Sequence, residues 1–320
     1  MSTASQHHTK IIDVHAHFTT PRYIQAAKDA GYREADGMPE AFWPQWALQS
    51  HVELMDKAGI SKSYLSISSP GVHFGDHAAA RALAREVNDA GADVVMANPD
   101  RFGLFASLPL PDIGASLAEL ARAYDELDAD GVVVMSNSRG TYLGNPSLAP
   151  VLEELDRRSG TLFLHPTSAQ GTELVDCGRP RPMIEFLFET ARTVIDYVLS
   201  GSATRYPNIR LIVPHCGGVL PLLADRVALF AGALNSGALT EPVADTLRRF
   251  YYDLAGTPSD LQVAALRQLC PPDHLLYGSD YPWTPAELAI GLLATLDKVL
   301  DPDWRMETTH NAKDLFAASR

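Results

Sequence analysis

Three cysteines among 320 residues, Cys177, Cys216 and Cys270, are too few and too widely spaced for a disulfide framework. No two stand in a CxxC pair, which argues against a thiolate zinc site, and a reducing, cytoplasmic setting is expected. Basic residues are also sparse: 26 Lys and Arg stand against 39 Asp and Glu, a net charge of −13. That balance argues against nucleic acid and anionic membrane surfaces as partners. No hydrophobic run reaches membrane-spanning length, since the low-charge stretch "LIVPHCGGVLPLLA" is interrupted by proline, histidine and paired glycine. Glycine-rich phosphate loops and a Gly-x-Ser-x-Gly elbow are missing, so kinase, dehydrogenase and serine-hydrolase chemistry lack support. The opening "MSTASQHHTK" has no apolar segment. Residues 1–9 are expected to be a disordered polar tail and not a signal peptide.

What the chain does have is a recurring alternation. Nearly continuous apolar runs occur at 10–18, 61–68, 102–110, 131–137, 161–167, 210–217, 249–256 and 274–280. Runs of this kind suit parallel strands buried on both faces. Helix patterns lie between them. "GASLAELARAYDELDADG" spaces its apolar residues at three and four, and "NPSLAPVLEELDRRSG" opens on Asn-Pro and closes on basic residues and glycine. Eight strands alternating with helices predict one (β/α)8 barrel over residues 10–320, with an insertion at 19–60 read as a lid or a substrate loop over the C-terminal face. A doubly wound open sheet is the competing architecture, but no dinucleotide turn follows the first strand.

In a barrel of this kind the active site sits at the C-terminal ends of the strands. His15 and His17 end the first strand in "DVHAHF", and residues two apart on a strand point the same way. His165 lies near the end of the fifth strand, His215 ends the sixth and Asp280 ends the eighth. Taken singly, each has an ordinary explanation: a hydrogen-bonded core histidine, or an aspartate capping the next helix. Together at equivalent strand ends, three imidazoles and a carboxylate suit zinc, manganese or iron. Asp13, deeper on the first strand, is assigned a supporting role behind the ligands.

The motifs "IIDVHAHF", "LFLHPT", "IRLIVPHCGGVLPLLADR" and "LLYGSDYPW" resemble the amidohydrolase superfamily. Within it they are most similar to the branch of aminocarboxymuconate semialdehyde decarboxylase and the metal-dependent hydroxybenzoate decarboxylases. The resemblance runs from the first strand to the eighth. It implies a mononuclear site with His15, His17, His165 and Asp280 as ligands, and His215 beside the metal acting on bound water or substrate. The dinuclear branches need a bridging lysine at the fourth strand, where "GVVVMSNSRG" has none, so one divalent ion, zinc or manganese, is expected. The resemblance also assigns Arg226 a reach across a dimer interface toward the neighbour's substrate, which implies a homodimer or homotetramer.

Phe18, Tyr23, Trp43, Trp46, Phe74 and Trp283 fall in predicted loops at the same end, favouring a flat aromatic substrate. Arg139, after the fourth strand, is a candidate partner for its carboxylate. Asp280 and His215 are the candidates for moving protons. Together with the resemblance, these residues imply non-oxidative decarboxylation of an ortho-hydroxylated aromatic acid, of 6-methylsalicylate or dihydroxybenzoate type. The same ligands would serve a hydrolase or hydratase acting on a lactone or unsaturated dicarboxylate. A non-catalytic barrel with a structural metal is a third reading, which the presence of His215 beside a full ligand set disfavours.

Overall fold

The computed structural model of the chain describes residues 10–234, 239–256 and 258–317; the expected tail at residues 1–9 lies outside them. Eight parallel strands follow one another in order: β1 (Ile11–His17), β2 (Ile60–Ser66), β3 (Phe102–Ser107), β4 (Gly131–Met135), β5 (Thr161–His165), β6 (Arg210–Val213), β7 (Tyr251–Asp253) and β8 (Leu275–Leu276). Each pairs with its sequence neighbour, as a β/α repeat requires. The circle closes through bridges from Asp13 to Tyr277 and from Ala16 to Tyr281, beyond the two-residue ladder of β8. The fold is therefore a (β/α)8 barrel, with every predicted strand present.

Its interior is filled in layers. Ile12, Val14, Tyr64, Phe105, Val133, Phe163, Ile212 and Leu276 form one cluster, with Leu315 and Phe316 from the last helix (Trp304–Ala317) below them. Phe316 stacks on Tyr64 with ring centroids 3.9 Å apart, so this helix closes the floor of the barrel. A larger apolar shell lies between strands and helices, running from Ile11 to Trp304.

The stretch after β1 is more regular than its sequence suggests. It holds helices Pro21–Asp29 and Leu48–Ala58, with two single-turn helices at Ala35–Gly37 and Glu40–Phe42 between them. Thr20 caps the first helix by accepting from Tyr23 N–H, with proline in its first turn. Ala35 and Asp36 of the first turn, with Met38 after it, border the space above the barrel mouth.

Candidate metal centre

β1 does not alternate strictly. Its pairing with β2 shifts register between Asp13 and Ala16. Val14 belongs to the barrel interior, and the next residue, His15, still packs edge-on against Phe163 at 4.8 Å. The irregularity turns His15 inward beside His17. Asp13, fully buried, accepts the His15 backbone N–H at 3.1 Å and that of Ser279 at 3.0 Å, tying β1 to the loop that carries Asp280. Gly278, in that loop, has no room for a side chain: a Cβ there would lie 2.6 Å from the Cβ of His15.

The three histidines are oriented alike. His15 Nδ1 lies 2.9 Å from Asp253 Oδ2, and His165 Nδ1 lies 2.8 Å from the carbonyl of Pro166. His17 Nδ1 lies 2.9 Å from Ser66 Oγ and 3.3 Å from the Ser66 carbonyl. Carboxylates and carbonyls only accept, so each Nδ1 carries a hydrogen and each Nε2 is the nitrogen turned inward, able to offer its lone pair to a metal that displaces any proton there. Those lone pairs converge. His15 Nε2 and His17 Nε2 are 3.1 Å apart, and Asp280 Oδ1 lies 3.5 Å from the first and 3.2 Å from the second. One ligand atom from each of His15, His17, His165 and Asp280 falls within 4.8 Å of all the others.

The electrostatics agree with this geometry. Burial, reinforced by the neighbouring imidazoles, holds His165 well below its usual value. Burial likewise lowers His17 against the opposing pull of Asp280. For His15 burial acts downward too, but Asp253 and Asp280 outweigh it and raise the group to about 10. For Asp280, burial opposes ionisation, yet the hydrogen bonds of His15, His17 and His215 hold it well below the usual carboxylate range. Two neutral imidazoles, an ionised carboxylate and a His15 position attractive to positive charge fit a divalent cation, which displaces protons from its ligands.

His215 stands beside this set, its Nε2 3.7 Å from Asp280 Oδ2 and its ring 5.0 Å from that of His15. Above them opens a cavity of about 500 Å³, walled by Met38, Met183, Phe186, Leu187 and Trp283. His165, His215 and Asp280 form its floor, and no Lys or Arg appears among its described lining residues.

The other expected residues divide. Trp283 lines this cavity and donates its indole N–H to Ser68 Oγ. Phe18 and Trp46 do not line it. Phe18 is buried in the shell, and Trp46 donates to His51 Nδ1 at 3.0 Å. Their rings pack against one another at 6.0 Å, so both serve to seat the segment after β1. Arg139, at φ +52°, lines a separate cavity of about 340 Å³ with His73, Gln170 and Arg181; among the described residues only Asp36 borders both spaces. Arg226 is exposed on helix Leu220–Ala233, its guanidinium 4.9 Å from the Phe230 ring centroid. Sequence reasoning missed Asp253, Ser66 and Gly278. Asp253 ends β7, so the strand-end rule that picked out the histidines also reaches it.

The amidohydrolase family profile matches residues 12–316. A 6-methylsalicylic acid decarboxylase from Aspergillus aculeatus is 36% identical over 289 residues, spanning 87% of this chain and 86% of its own. A crystal structure of an amidohydrolase II superposes with a TM-score of 0.90 at 36% identity, covering 96% of this chain and 100% of the other. A dihydroxybenzoic acid decarboxylase from Polaromonas sp., solved with manganese and 2-nitroresorcinol, shares the fold at a TM-score of 0.84 and 23% identity. That match covers 98% of each chain.

Proposed function

The chain belongs to the amidohydrolase family, and we propose that it is a metal-dependent, non-oxidative decarboxylase of ortho-hydroxylated aromatic acids. A 6-methylsalicylate- or dihydroxybenzoate-like acid is the substrate. The observation that carries this reading is the pairing of two features. Three inward Nε2 lone pairs and Asp280 converge at the floor of an apolar cavity, and that cavity has no cationic side chain of its own among the described residues. A flat ring fits between Phe186, Leu187 and Trp283, while its carboxylate must find positive charge at the floor. His15, His17, His165 and Asp280 are the proposed ligands. A divalent ion held there, zinc or manganese, supplies Lewis-acid attraction for the carboxylate and the ortho oxygen.

Expelling CO2 directly from an aromatic ring would leave a carbanion in the ring plane. Protonating the ring carbon that bears the carboxylate avoids this: the ortho hydroxyl gives up its proton and donates electrons to become a ketone, which takes back an electron pair and a proton when the C–C bond breaks. The C–C bond breaks next, its electron pair restores the aromatic ring, and CO2 leaves. One proton is consumed at the carbon. His215 is assigned to deliver it, with the ionised Asp280 carboxylate, 3.7 Å away at the cavity floor, as its partner in handling the proton. Met38, Met183 and Phe186 keep the ring dry and suit a methyl substituent.

The chain is further proposed to work as a homodimer or homotetramer in the cytoplasm. Leu222, Leu229 and Phe230 are exposed on the helix that carries Arg226, an apolar face suited to a second copy. Arg226 would then bring to the partner's cavity the cation that the cavity lacks. A panel assay tests the central claim. CO2 release from hydroxybenzoates without lactone hydrolysis supports it, and the reverse pattern overturns it.

A further inference from the structure

A catalytic histidine is commonly aimed by a hydrogen bond to its second ring nitrogen. His215 has no such bond among the described residues: its Nδ1 is buried and unpartnered. Its backbone is unusual as well. His215, Cys216, Gly217 and Gly218 occupy positive φ in succession, at 55°, 54°, 76° and 59°. Two of the four are not glycine, so the turn must be held from outside. The hold is visible. Asp253 Oδ1 accepts the His215 backbone N–H at 3.0 Å and that of Ala255 at 2.9 Å, and Gln262 donates to the His215 carbonyl at 3.2 Å. The other oxygen of the same carboxylate, Oδ2, accepts from His15 Nδ1 at 2.9 Å. Asp253 is fully buried, so neither oxygen is solvated in place of these bonds.

We infer that Asp253 is a positioning residue that couples the two halves of the site. Through Oδ2 it fixes the tautomer and direction of His15, a proposed ligand. Through Oδ1 it holds the left-handed turn that places the His215 ring beside Asp280. The inference rests on the proposed decarboxylase reading for its kinetic consequence, but not for its structural one. A carboxylate that served His15 alone would affect metal retention and nothing else. One that clamps both residues also misplaces His215 when it is changed, even with the metal site full.

The test is Asp253→Ala, which removes both acceptor oxygens, made in the full chain and loaded with manganese. Manganese affinity, read by competition with a chelating dye, is expected to fall about 10- to 100-fold. At saturating manganese, with occupancy checked by elemental analysis, kcat is expected to stay roughly 100-fold low while KM changes little. A crystal structure of the variant should show His215 out of the left-handed region. Weakened manganese binding with wild-type kcat at full occupancy would overturn the coupling, and so would an unmoved His215. Should the wild-type protein release no CO2 from any acid of the panel, the decarboxylase reading fails by itself. The His215 conformation then decides the coupling. If Asp253→Ala does not fold, Asp253→Glu carries the same measurements, because it keeps the buried charge and displaces it by one methylene.

Discussion

His15 and His17 hold their Nε2 atoms 3.1 Å apart, each with its Nδ1 hydrogen committed to an acceptor on the far side. Two lone pairs at that distance repel unless positive charge lies between them. His165 is turned the same way by the Pro166 carbonyl, so it belongs with the proposed ligands, whereas His215 has no comparable orientation. His165→Ala should therefore lower metal content well below one ion per chain by elemental analysis. His215→Asn should retain the metal and lose about 10²- to 10⁴-fold in kcat. Full metal in the first variant would remove His165 from the ligand set.

The loop beside β8 gives a steric test. Gly278→Ala would place a methyl 2.6 Å from the His15 Cβ and 3.0 Å from the Ala255 Cβ, both on packed backbone. A cost of about 1–3 kcal/mol is expected, together with reduced metal content, because His15 is the residue displaced. Gly291, exposed within helix Ala286–Val299, meets nothing within 4 Å. Gly291→Ala should instead stabilise by about 0.5–1 kcal/mol through helix propensity alone. Thermal unfolding of the two variants should shift in opposite directions, and a shared direction would refute the steric account.

Much of this architecture is legible in the sequence for a physical reason. Strands buried on both faces are mostly apolar, so the eight stand out as runs, and polar residues at their ends are conspicuous exceptions. His15, His17, His165, His215 and Asp280 were found that way. The aromatic residues were harder to place, because a loop tryptophan reads the same whether it faces a cavity or the shell. Trp283 faces the cavity, while Phe18 and Trp46 pack away from it. Arg139 follows β4 as expected, but β4 opens onto the neighbouring space, and no periodicity reports which of two cavities a loop borders. Asp253 escaped notice because β7 contributes only three paired residues and its aspartate faces inward to other protein groups, not to open space.

Arg226 offers a test of assembly. Its guanidinium rests on Phe230, and Arg226 is not among the described residues that line its own cavity. If the partner's cavity uses it, Arg226→Ala should raise KM for an aromatic carboxylate about tenfold or more, the range for losing one charge-assisted hydrogen bond. The affinity loss should be largely absent for a neutral competitor such as the corresponding phenol. Light scattering or sedimentation showing a monomer at assay concentration would sink the role outright.

His51 makes folding itself sensitive to acid. It is buried against Phe102 and Tyr281, with ring centroids at 5.2 and 4.8 Å, and its Nδ1 accepts from Trp46. Burial, with help from His17 and Arg101, pushes the group down from 6.5 to about 3. The folded protein therefore refuses a proton that the unfolded chain binds readily below the unfolded value. Stability from this residue is fully present above pH 6.5 and is lost as pH falls from there toward about 3. At roughly 1.4 kcal/mol per pH unit, the loss at about pH 5 comes to ~2 kcal/mol. His51→Gln keeps an acceptor for the Trp46 indole and does not titrate. Its melting temperature should fall less between neutral pH and about pH 5 than that of the unaltered protein. The proposed metal ligands also respond to acid, so both proteins are compared at the same metal occupancy. Equal slopes would show that the acid sensitivity lies elsewhere.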